Sequence, residues 1–403
     1  MEWERDGPKV VRVELTPLFV PFKENVVQLM SEAEGGLGMK IPAEEAWLGG
    51  EFVVCRLFSD DGHEGASEVF VWLPETGVTA SQVVEVAQRG LCKYLLGRSP
   101  FEVERLRAKM NRNVARSEVA KGLLDAACYD LAGRVAGLPV HALLGGAQVD
   151  RVPLAALVPL ADSETMVSLA EAFHAKGRGN RTLRLKLGNG PREDEAIVAA
   201  VRDALGPGAR LRVDYNQAYA PAEAVRAIRA IEPHGIDVAE QPVRADDYLG
   251  MAWIQRRVDV PLMAHEACFS LRDLVVLDQL GAIGCVGVNT ERPGGLTDAV
   301  RAISYAEARG MGVVVHNQTL GLATAAQVHL AAAKHDSLGH DPELFGHVMF
   351  EDDLVERPLK YAGGAVEVPR GPGWGDGVRV DEEALESYRT GPTVVVKWNG
   401  GGT

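Results

Sequence analysis

The sequence lacks paired cysteines and long apolar runs. Its five cysteines, in 403 residues, are far apart and form no CxxC pair, which argues against a disulfide framework and suits a reducing compartment. No run of about 18 apolar residues occurs, which excludes a membrane span. The first residues, MEWERDGPKV, carry charge where a signal peptide needs an apolar stretch. We therefore predict a cytoplasmic protein with no membrane partner.

Positive charge is also in short supply. Lys plus Arg number 42 against 56 Asp plus Glu, a net charge of −14, which is the wrong sign for a protein that binds nucleic acid through its phosphates. The apolar fraction of 46% and charged fraction of 24% are those of an ordinary globular protein. The length allows two or three domains with a large core.

Residues 1–150 predict a small α+β domain. Alternating and apolar runs up to about Trp72, separated by glycine turns, are typical of an antiparallel meander. Helical patterns follow from Thr79, with Pro100 at one helix start and Gly137 where the last helix is expected to end. Strands followed by helices indicate an α+β unit.

From about residue 151, short β-branched runs alternate with amphipathic stretches, as in parallel βαβ units. Eight runs span residues 152–352, or 201 residues, which favours a closed (β/α)8-type TIM barrel over residues 151–360. A doubly wound sheet stays open as an alternative. The runs are 152–158, 182–187, 211–216, 237–243, 260–266, 284–290, 312–318 and, less clearly, 347–352.

Six of these runs end in a polar or ionisable residue. The successive separations are 28, 26, 26, 23 and 27 residues, one residue for each βα unit. Because the carboxyl ends of barrel strands meet at one mouth, we expect these side chains to surround a single cavity. They are Lys186, Asp214, Glu240, Glu266, Asn289 and His316.

Three of the six are acids on consecutive strands. Asp214, Glu240 and Glu266 would repel one another unless a cation held them, and an all-oxygen set favours Mg²⁺ over Zn²⁺. His265, next to Glu266, is the alternative third ligand, since neighbours on an extended strand point to opposite sides. The spacing favours Glu266.

The other mouth residues suit proton transfer. Lys186 is expected to act as a base, with Arg184 two residues earlier on the same strand face as its electrostatic partner. His316 is expected to be catalytic from across the ring. Asn289 is placed to hydrogen-bond its imidazole, fixing the tautomer without raising the pKa as an aspartate would.

These residues resemble the enolase superfamily, and within it the mandelate racemase group. The likeness rests on GLLDAACYDLAGRVAGLPVHALLGG (122–146), RLK (184–186), VDYNQ, EQP, the Glu266 position and PGGLTDA (293–299). It implies Mg²⁺ on Asp214, Glu240 and Glu266, and abstraction of the proton α to a carboxylate through an enediolate. Two departures are Arg184, where the family's K-x-K motif has its first lysine, and Asn289, where an aspartate usually partners the histidine.

The resemblance also implies an N-terminal cap with a substrate lid at about residues 22–42, and a C-terminal segment, 361–403, that returns to the cap. A late acidic residue is expected to complete the site, either Glu343 or Glu351. The sequence says little about the oligomeric state, but because barrels of this kind often assemble, we expect a homo-oligomer.

The leading expectation for function is dehydration of a hydroxy acid or acid sugar. Lys186 would remove the α-proton, and protonated His316 would help the β-hydroxyl to leave. The alternatives are racemisation or epimerisation, then cycloisomerisation, of a small carboxylate substrate. A non-catalytic metal-binding scaffold is a remote fourth.

Overall fold

The computed structural model describes residues 7–32, 47–174 and 178–400, with the backbone alone at 29–32. Its sheets are a four-stranded antiparallel sheet, an eight-stranded parallel sheet that curls into a nearly closed barrel, and a small three-stranded sheet. The predicted TIM barrel with an N-terminal α+β domain is confirmed, and the doubly wound alternative is not. No helix in these ranges is long and apolar enough to cross a membrane.

The N-terminal domain packs helices on an antiparallel sheet. Its own strands are β1 (Val10–Pro21), β2 (Gly49–Ser59) and β3 (Glu64–Val71). Its α-helices are α1 (Glu24–Glu32), α2 (Leu73–Thr76), α3 (Ala80–Val86), α4 (Cys92–Leu95), α5 (Val103–Asn113), α6 (Glu118–Ala136) and α7 (Val140–Leu143), with a π-helical turn at Ala87–Leu91 and a 3-10 turn at Pro100–Glu102.

Helix α6 is the buried centre of this domain. Fourteen of its 19 residues are buried, as expected for a helix that is apolar on nearly every side. It ends where the sequence predicts, at Gly137, whose φ of +68° is a conformation that glycine adopts without strain. The 3-10 turn before α5 begins at Pro100, also as predicted.

The barrel alternates strands and helices. Its strands are β5 (Ala156–Val158), β6 (Thr182–Lys186), β7 (Arg210–Asp214), β8 (Ile236–Glu240), β9 (Leu262–Ala264), β10 (Cys285–Val288), β11 (Gly312–Asn317) and β12 (Glu343–Leu344), in that order around the sheet. Its helices are α8 (Ser163–Phe173), α9 (Pro191–Leu205), α10 (Pro221–Ile231), α11 (Tyr248–Gln255), α12 (Leu271–Gln279), α13 (Leu296–Ala308), α14 (Gly321–Ala333) and α15 (His335–Leu338), with a 3-10 turn at Glu232–His234.

The barrel interior has an apolar floor beneath a polar layer. Val238, Met263, Cys285 and Val314 form a separate buried cluster. Val238 lies two residues before Glu240 and Val314 two before His316, so each shares a strand face with the later residue. The polar residues therefore rest on a packed layer that excludes water from below.

Two of the eight predicted strands differ in the structure. Residues 347–352 do not form a strand, since helix α16 (Gly346–Met349) covers their start and the eighth strand is β12. The apolar residues of this run pack against the N-terminal domain instead. Phe350 stacks on Phe22 at 4.9 Å between ring centroids. The first run divides into β4 (Arg151–Pro153), outside the barrel, and β5.

The C-terminal segment contacts both other parts. Its hairpin, β13 (Tyr361–Ala362) and β14 (Ala365–Glu367), pairs with β4. Helix α17 (Glu382–Tyr388) follows, and β15 (Val394–Lys397) joins the N-terminal sheet beside β1. Of the lid expected at 22–42, residues 33–42 lie outside the described residues, and residues 24–32 form α1.

Candidate active site

Strand register brings the predicted residues to one end of the barrel. Lys186 pairs with Asp214, and Asp214 pairs with Glu240, at the ends of three consecutive strands. Across the ring, His316 pairs with Glu343. Parallel strands run in one direction, so these ends form a single mouth.

Lys186 is held by two oxygen acceptors. Its Nζ donates to Asp214 Oδ2 at 2.6 Å and to Asn216 Oδ1. Asn216 has φ of +40°, a left-handed conformation that asparagine tolerates, and its amide also donates to Glu266 Oε1 at 3.2 Å. The pattern of polar residues at strand ends does not predict Asn216, because Asn216 lies in the turn beyond the end of the strand.

Arg184 bridges carboxylates from three strands. Its Nη1 donates to Asp214 Oδ2 at 2.9 Å and to Glu240 Oε2 at 3.1 Å, and its Nε lies 2.8 Å from Glu343 Oε2. Burial alone would lower the pKa of Arg184, but the surrounding charges, led by Glu343 and Glu240, raise it. Arg184 is therefore a fixed cation within the acidic mouth.

Glu343, rather than Glu351, lies in the mouth. Glu343 is fully buried between the guanidinium groups of Arg184 and Arg212, whereas Glu351 is exposed. Arg212 is a second buried cation that the strand-end pattern misses. It lies two residues before Asp214 on β7, and the period of two along a strand is the signal that places it on the inner face.

His265 and Glu266 both face the acidic cluster, contrary to the expectation that they point to opposite sides. They follow the end of β9 and lie in a turn, so strand alternation does not apply to them. His265 Nδ1 is 3.4 Å from Glu240 Oε1 and 3.3 Å from Glu266 Oε2. The histidine is therefore part of the mouth together with the acid.

His316 has no hydrogen-bond partner on either ring nitrogen among the described residues. The hydrogen bond expected from Asn289 is not made. Asn289 instead closes a turn with Arg292, through Asn289 N–H to Arg292 O at 2.7 Å and Arg292 N–H to Asn289 Oδ1 at 2.6 Å. The carboxylate nearest the imidazole is Glu343, whose Oε2 is 3.6 Å from Nε2.

Arg292 links the mouth to the N-terminal domain. Its Nη2 donates to Glu75 Oε2, in α2, at 2.9 Å and lies 2.7 Å from His265 Nε2. No strand pattern predicts this contact, because Glu75 and Arg292 are 217 residues apart.

A small pocket opens beside Lys186. Its lining combines apolar side chains with a few polar ones. The lining residues are Trp72, Glu75, Leu157, Arg184, Lys186, Asn216, Gln318 and Phe345.

The electrostatics of the mouth favour a bound cation. Four buried carboxylates face three buried cations: Asp214, Glu240, Glu266 and Glu343 against Arg184, Lys186 and Arg212. Burial and the charge of Asp214 raise the pKa of Glu240 to about 7. Burial also acts to raise the pKa of Glu266, but contact with His265 outweighs it and the pKa falls to about 2.

The three acids at the strand ends supply the type of donor that a hard divalent cation prefers. Asp214, Glu240 and Glu266 supply oxygens from consecutive strand ends, and the buried Oε2 of Glu266 has no hydrogen-bond partner among the described residues. Among the residues that the structure describes, the group whose ligand atoms all lie within 4.8 Å of one another is Glu240, His265 and His316, and not the three acids. Nitrogen ligands would favour a softer ion.

A parallel barrel with acids, a lysine and a histidine at its mouth defines a (β/α)8 enzyme. The chain belongs to the mandelate racemase / muconate lactonizing enzyme group of the enolase superfamily. Residues 165–384 match the family described as enolase C-terminal domain-like, and residues 45–145 match the mandelate racemase / muconate lactonizing enzyme N-terminal domain.

Similar proteins include isomerases of several kinds. A hydrophobic dipeptide epimerase of Enterococcus faecalis is 32% identical over 275 residues, covering 67% of this chain and 75% of that protein. Muconate cycloisomerase 1 of Rhodococcus opacus is 30% identical, covering 79% and 84%. The crystal structure of N-succinyl Arg/Lys racemase from Bacillus cereus superposes with a TM-score of 0.85 at 26% identity, covering 96% of this chain and all of that one.

Proposed function

We propose that this enzyme is a racemase or epimerase that removes and returns the proton α to the carboxylate of a small molecule. The observation that carries the proposal is a pair of proton-transfer groups on well-separated strands. Lys186 on β6 and His316 on β11 are three strands apart one way around the ring and five the other. Groups so placed can approach the two faces of one carbon atom.

The two groups are in complementary protonation states. The ammonium of Lys186 donates to Asp214 and Asn216. Burial, with the positive charges of His265 and Arg184, lowers the pKa of His316 well below its usual range, which favours the neutral imidazole. One group can therefore accept a proton while the other delivers one, which is what inversion at carbon requires.

The pair of Lys186 and His316 supports dehydration, the reaction expected from the sequence, less well than it supports racemisation. Dehydration as expected above needs a protonated His316 to release the hydroxyl, and the lowered pKa of His316 works against that form. The similar proteins named above are epimerases, racemases and cycloisomerases. The apolar pocket residues Trp72, Leu157 and Phe345 also suit an apolar substituent better than the hydroxyl groups of an acid sugar.

Asp214, Glu240 and Glu266 would hold Mg²⁺ in this proposal. When bound, the ion would supply positive charge that stabilises the anion formed on proton loss. Arg184 would keep the carboxylates in place beside Lys186. A cytoplasmic location, a homo-oligomeric state and the absence of a nucleic-acid partner remain predictions from the sequence.

The test is proton exchange in D2O with Mg²⁺, followed by NMR. The substrate panel holds both enantiomers or epimers of apolar dipeptides, N-acyl amino acids and acid sugars. Wild-type enzyme is expected to exchange the α-proton and invert that centre in a dipeptide or N-acyl amino acid. Lys186→Ala and His316→Asn are each expected to retain exchange with only one enantiomer, since each group serves one face.

Matched controls are Lys360→Ala and His63→Asn, which alter exposed residues outside the mouth and should leave exchange unchanged. Formation of a keto acid with loss of water would support dehydration instead. Exchange of both enantiomers in both mouth variants, or no exchange with any of these substrates, would refute the racemase proposal.

A further inference from the structure

A carboxylate of the N-terminal domain faces the pocket beside Lys186. Glu75, in α2, is the one acid among the described residues that line this pocket, and Arg184 and Lys186 are the two cations. The other lining residues are neutral. The pocket is therefore positive on the side of the barrel strand β6 and negative on the side of the N-terminal domain.

One carboxylate oxygen of Glu75 is available to a ligand. Oε2 accepts a hydrogen bond from Arg292 Nη2 at 2.9 Å, and the side chain of Glu75 is 11% exposed. Oε1 makes no hydrogen bond or ion pair with any residue that the structure describes. A carboxylate accepts on both oxygens, and its strongest partners are charged N–H groups. Oε1 is therefore placed to accept from a positively charged nitrogen of a bound molecule.

The turn that carries Glu75 is held in place by its own hydrogen bonds and by packing. The backbone N–H groups of Glu75 and Thr76 both donate to the carbonyl oxygen of Trp72, at 3.0 and 2.8 Å. Gly77 ends the helix with φ of +66°. The buried indole ring of Trp72 stacks on Phe70 at 5.6 Å between ring centroids. The carboxylate is therefore positioned before a ligand arrives, which lowers the entropic cost of binding.

Apolar side chains line the same pocket as Glu75. They are Trp72, Leu157 and Phe345. Apolar walls exclude water, so an ion pair formed between them is stronger than one at the surface. A ligand with an ammonium group and apolar side chains would therefore match both the charge and the walls of the pocket.

We propose that Glu75 binds the protonated amino group of the substrate, and that the preferred substrates are dipeptides with a free amino terminus and apolar side chains. The inference rests on the proposed function and adds the substrate class to it. The substrate carboxylate lies toward Arg184 and Lys186, and the ammonium group lies toward Glu75. An N-acylated substrate has no charge on that nitrogen and leaves Oε1 of Glu75 without a charged partner.

The experiment compares leucyl-leucine with N-acetyl-leucyl-leucine, which differ in the charge of one nitrogen. Exchange of the α-proton in D2O with Mg²⁺ is followed by NMR in the full-length protein. In wild type, kcat/KM is expected to be about 10- to 100-fold higher for leucyl-leucine, the usual effect of a hydrogen bond to a charged group. Glu75→Gln keeps the shape of the side chain and is expected to lower kcat/KM for leucyl-leucine by a similar factor, mainly through KM. The same variant should change kcat/KM for N-acetyl-leucyl-leucine little.

A pH series tests the charge of the substrate directly. The α-amino group of a peptide has a pKa of about 7.7–8.0, so KM for leucyl-leucine should rise as the pH passes this range. N-acetyl-leucyl-leucine, which lacks that group, reports any pH dependence of the enzyme itself. In Glu75→Gln the two pH profiles should become parallel. A purely structural role of Glu75 would instead affect both substrates equally at every pH.

The matched control is Glu102→Gln. Glu102 is also in the N-terminal domain and pairs with Arg105, and its side chain is 10% exposed, but it does not line the pocket. This variant should leave the preference for leucyl-leucine unchanged. The comparison of the two substrates in wild type needs no variant, so it serves if Glu75→Gln does not fold.

The outcomes separate this inference from the proposed function. Equal kcat/KM for the two substrates in wild type, or an equal loss for both in Glu75→Gln, would overturn the inference. Faster exchange of Nα-acetyl-lysine than of leucyl-leucine would also overturn it, because the amine would then belong to a side chain. Exchange of N-acyl amino acids with none of dipeptides would overturn the inference but support the proposed function. Absence of exchange with every substrate would count against the proposed function itself.

Discussion

Replacement of Arg184 by methionine is expected to cause a large loss of stability in metal-free protein. The side chain is 2% exposed and contacts Asp214, Glu240 and Glu343. Methionine keeps an apolar stem of similar shape but removes the charge. The three acids would then share one cation fewer in a buried setting.

The expected loss of unfolding free energy depends on which ion pairs remain in Arg184→Met. Lys186 still contacts Asp214, and Arg212 still contacts Glu343, so Glu240 is the acid that loses its direct cationic partner. Removal of one member of a buried ion pair costs about 3–5 kcal/mol. Total unfolding free energies are typically about 5–15 kcal/mol, so the variant should still fold but with a much lower urea midpoint.

The assay is urea unfolding in EDTA, followed by tryptophan fluorescence. Arg210→Met is the matched control, because Arg210 lies on β7, the barrel strand next to that of Arg184, but pairs with Asp237 at the surface, with side chains 41% and 32% exposed. Such a pair contributes at most about 1 kcal/mol. Added Mg²⁺ should narrow the deficit of Arg184→Met. If Arg184→Met loses no more stability than Arg210→Met, the account of the mouth as a charge-balanced cluster is wrong.

Four further outcomes are expected. EDTA should abolish activity and Mg²⁺ restore it, and calorimetry should show weaker Mg²⁺ binding in Glu266→Gln. The pKa of Glu240 is raised from 4.5 to about 7, so between these pH values the native protein binds more protons than the unfolded protein. The free energy of unfolding of metal-free protein should therefore fall as the pH rises through this range. Glu240→Gln should remove this pH dependence. Turnover and unfolding assays should show that Glu343→Gln lowers both activity and stability. Glu351→Gln, which alters an exposed residue, should change neither. Gly122→Ala places a Cβ atom 2.3 Å from a backbone oxygen of the barrel and should cost about 1–3 kcal/mol by thermal unfolding.

The features that the sequence predicted correctly depend on repetition along the chain. Asp214 and Glu240 end consecutive parallel strands, and parallel pairing alone makes them neighbours. Lys186 reaches the mouth for the same reason. A strand-end rule therefore recovers residues whose position depends on local periodicity and one sheet register.

The features that the sequence missed depend on contacts between distant segments or on turns. The apolar run around Phe350 packs against Phe22 and not in the barrel. His265 lies past the last residue of its strand, where alternation of sides no longer holds. The ion pair of Glu75 with Arg292 crosses from one domain to the other, and no spacing along the chain encodes it.

The pairing of β15 with β1 has a consequence for the order of folding. Leu15 pairs with Val394, and Arg12 pairs with Lys397, so the two strands are joined only after the ribosome has made more than 370 further residues. Until then β1 has one open edge, and contacts this far apart in sequence form slowly. The barrel can therefore form before the sheet beside it is complete, and the last strand closes an edge on which a nascent chain would otherwise aggregate.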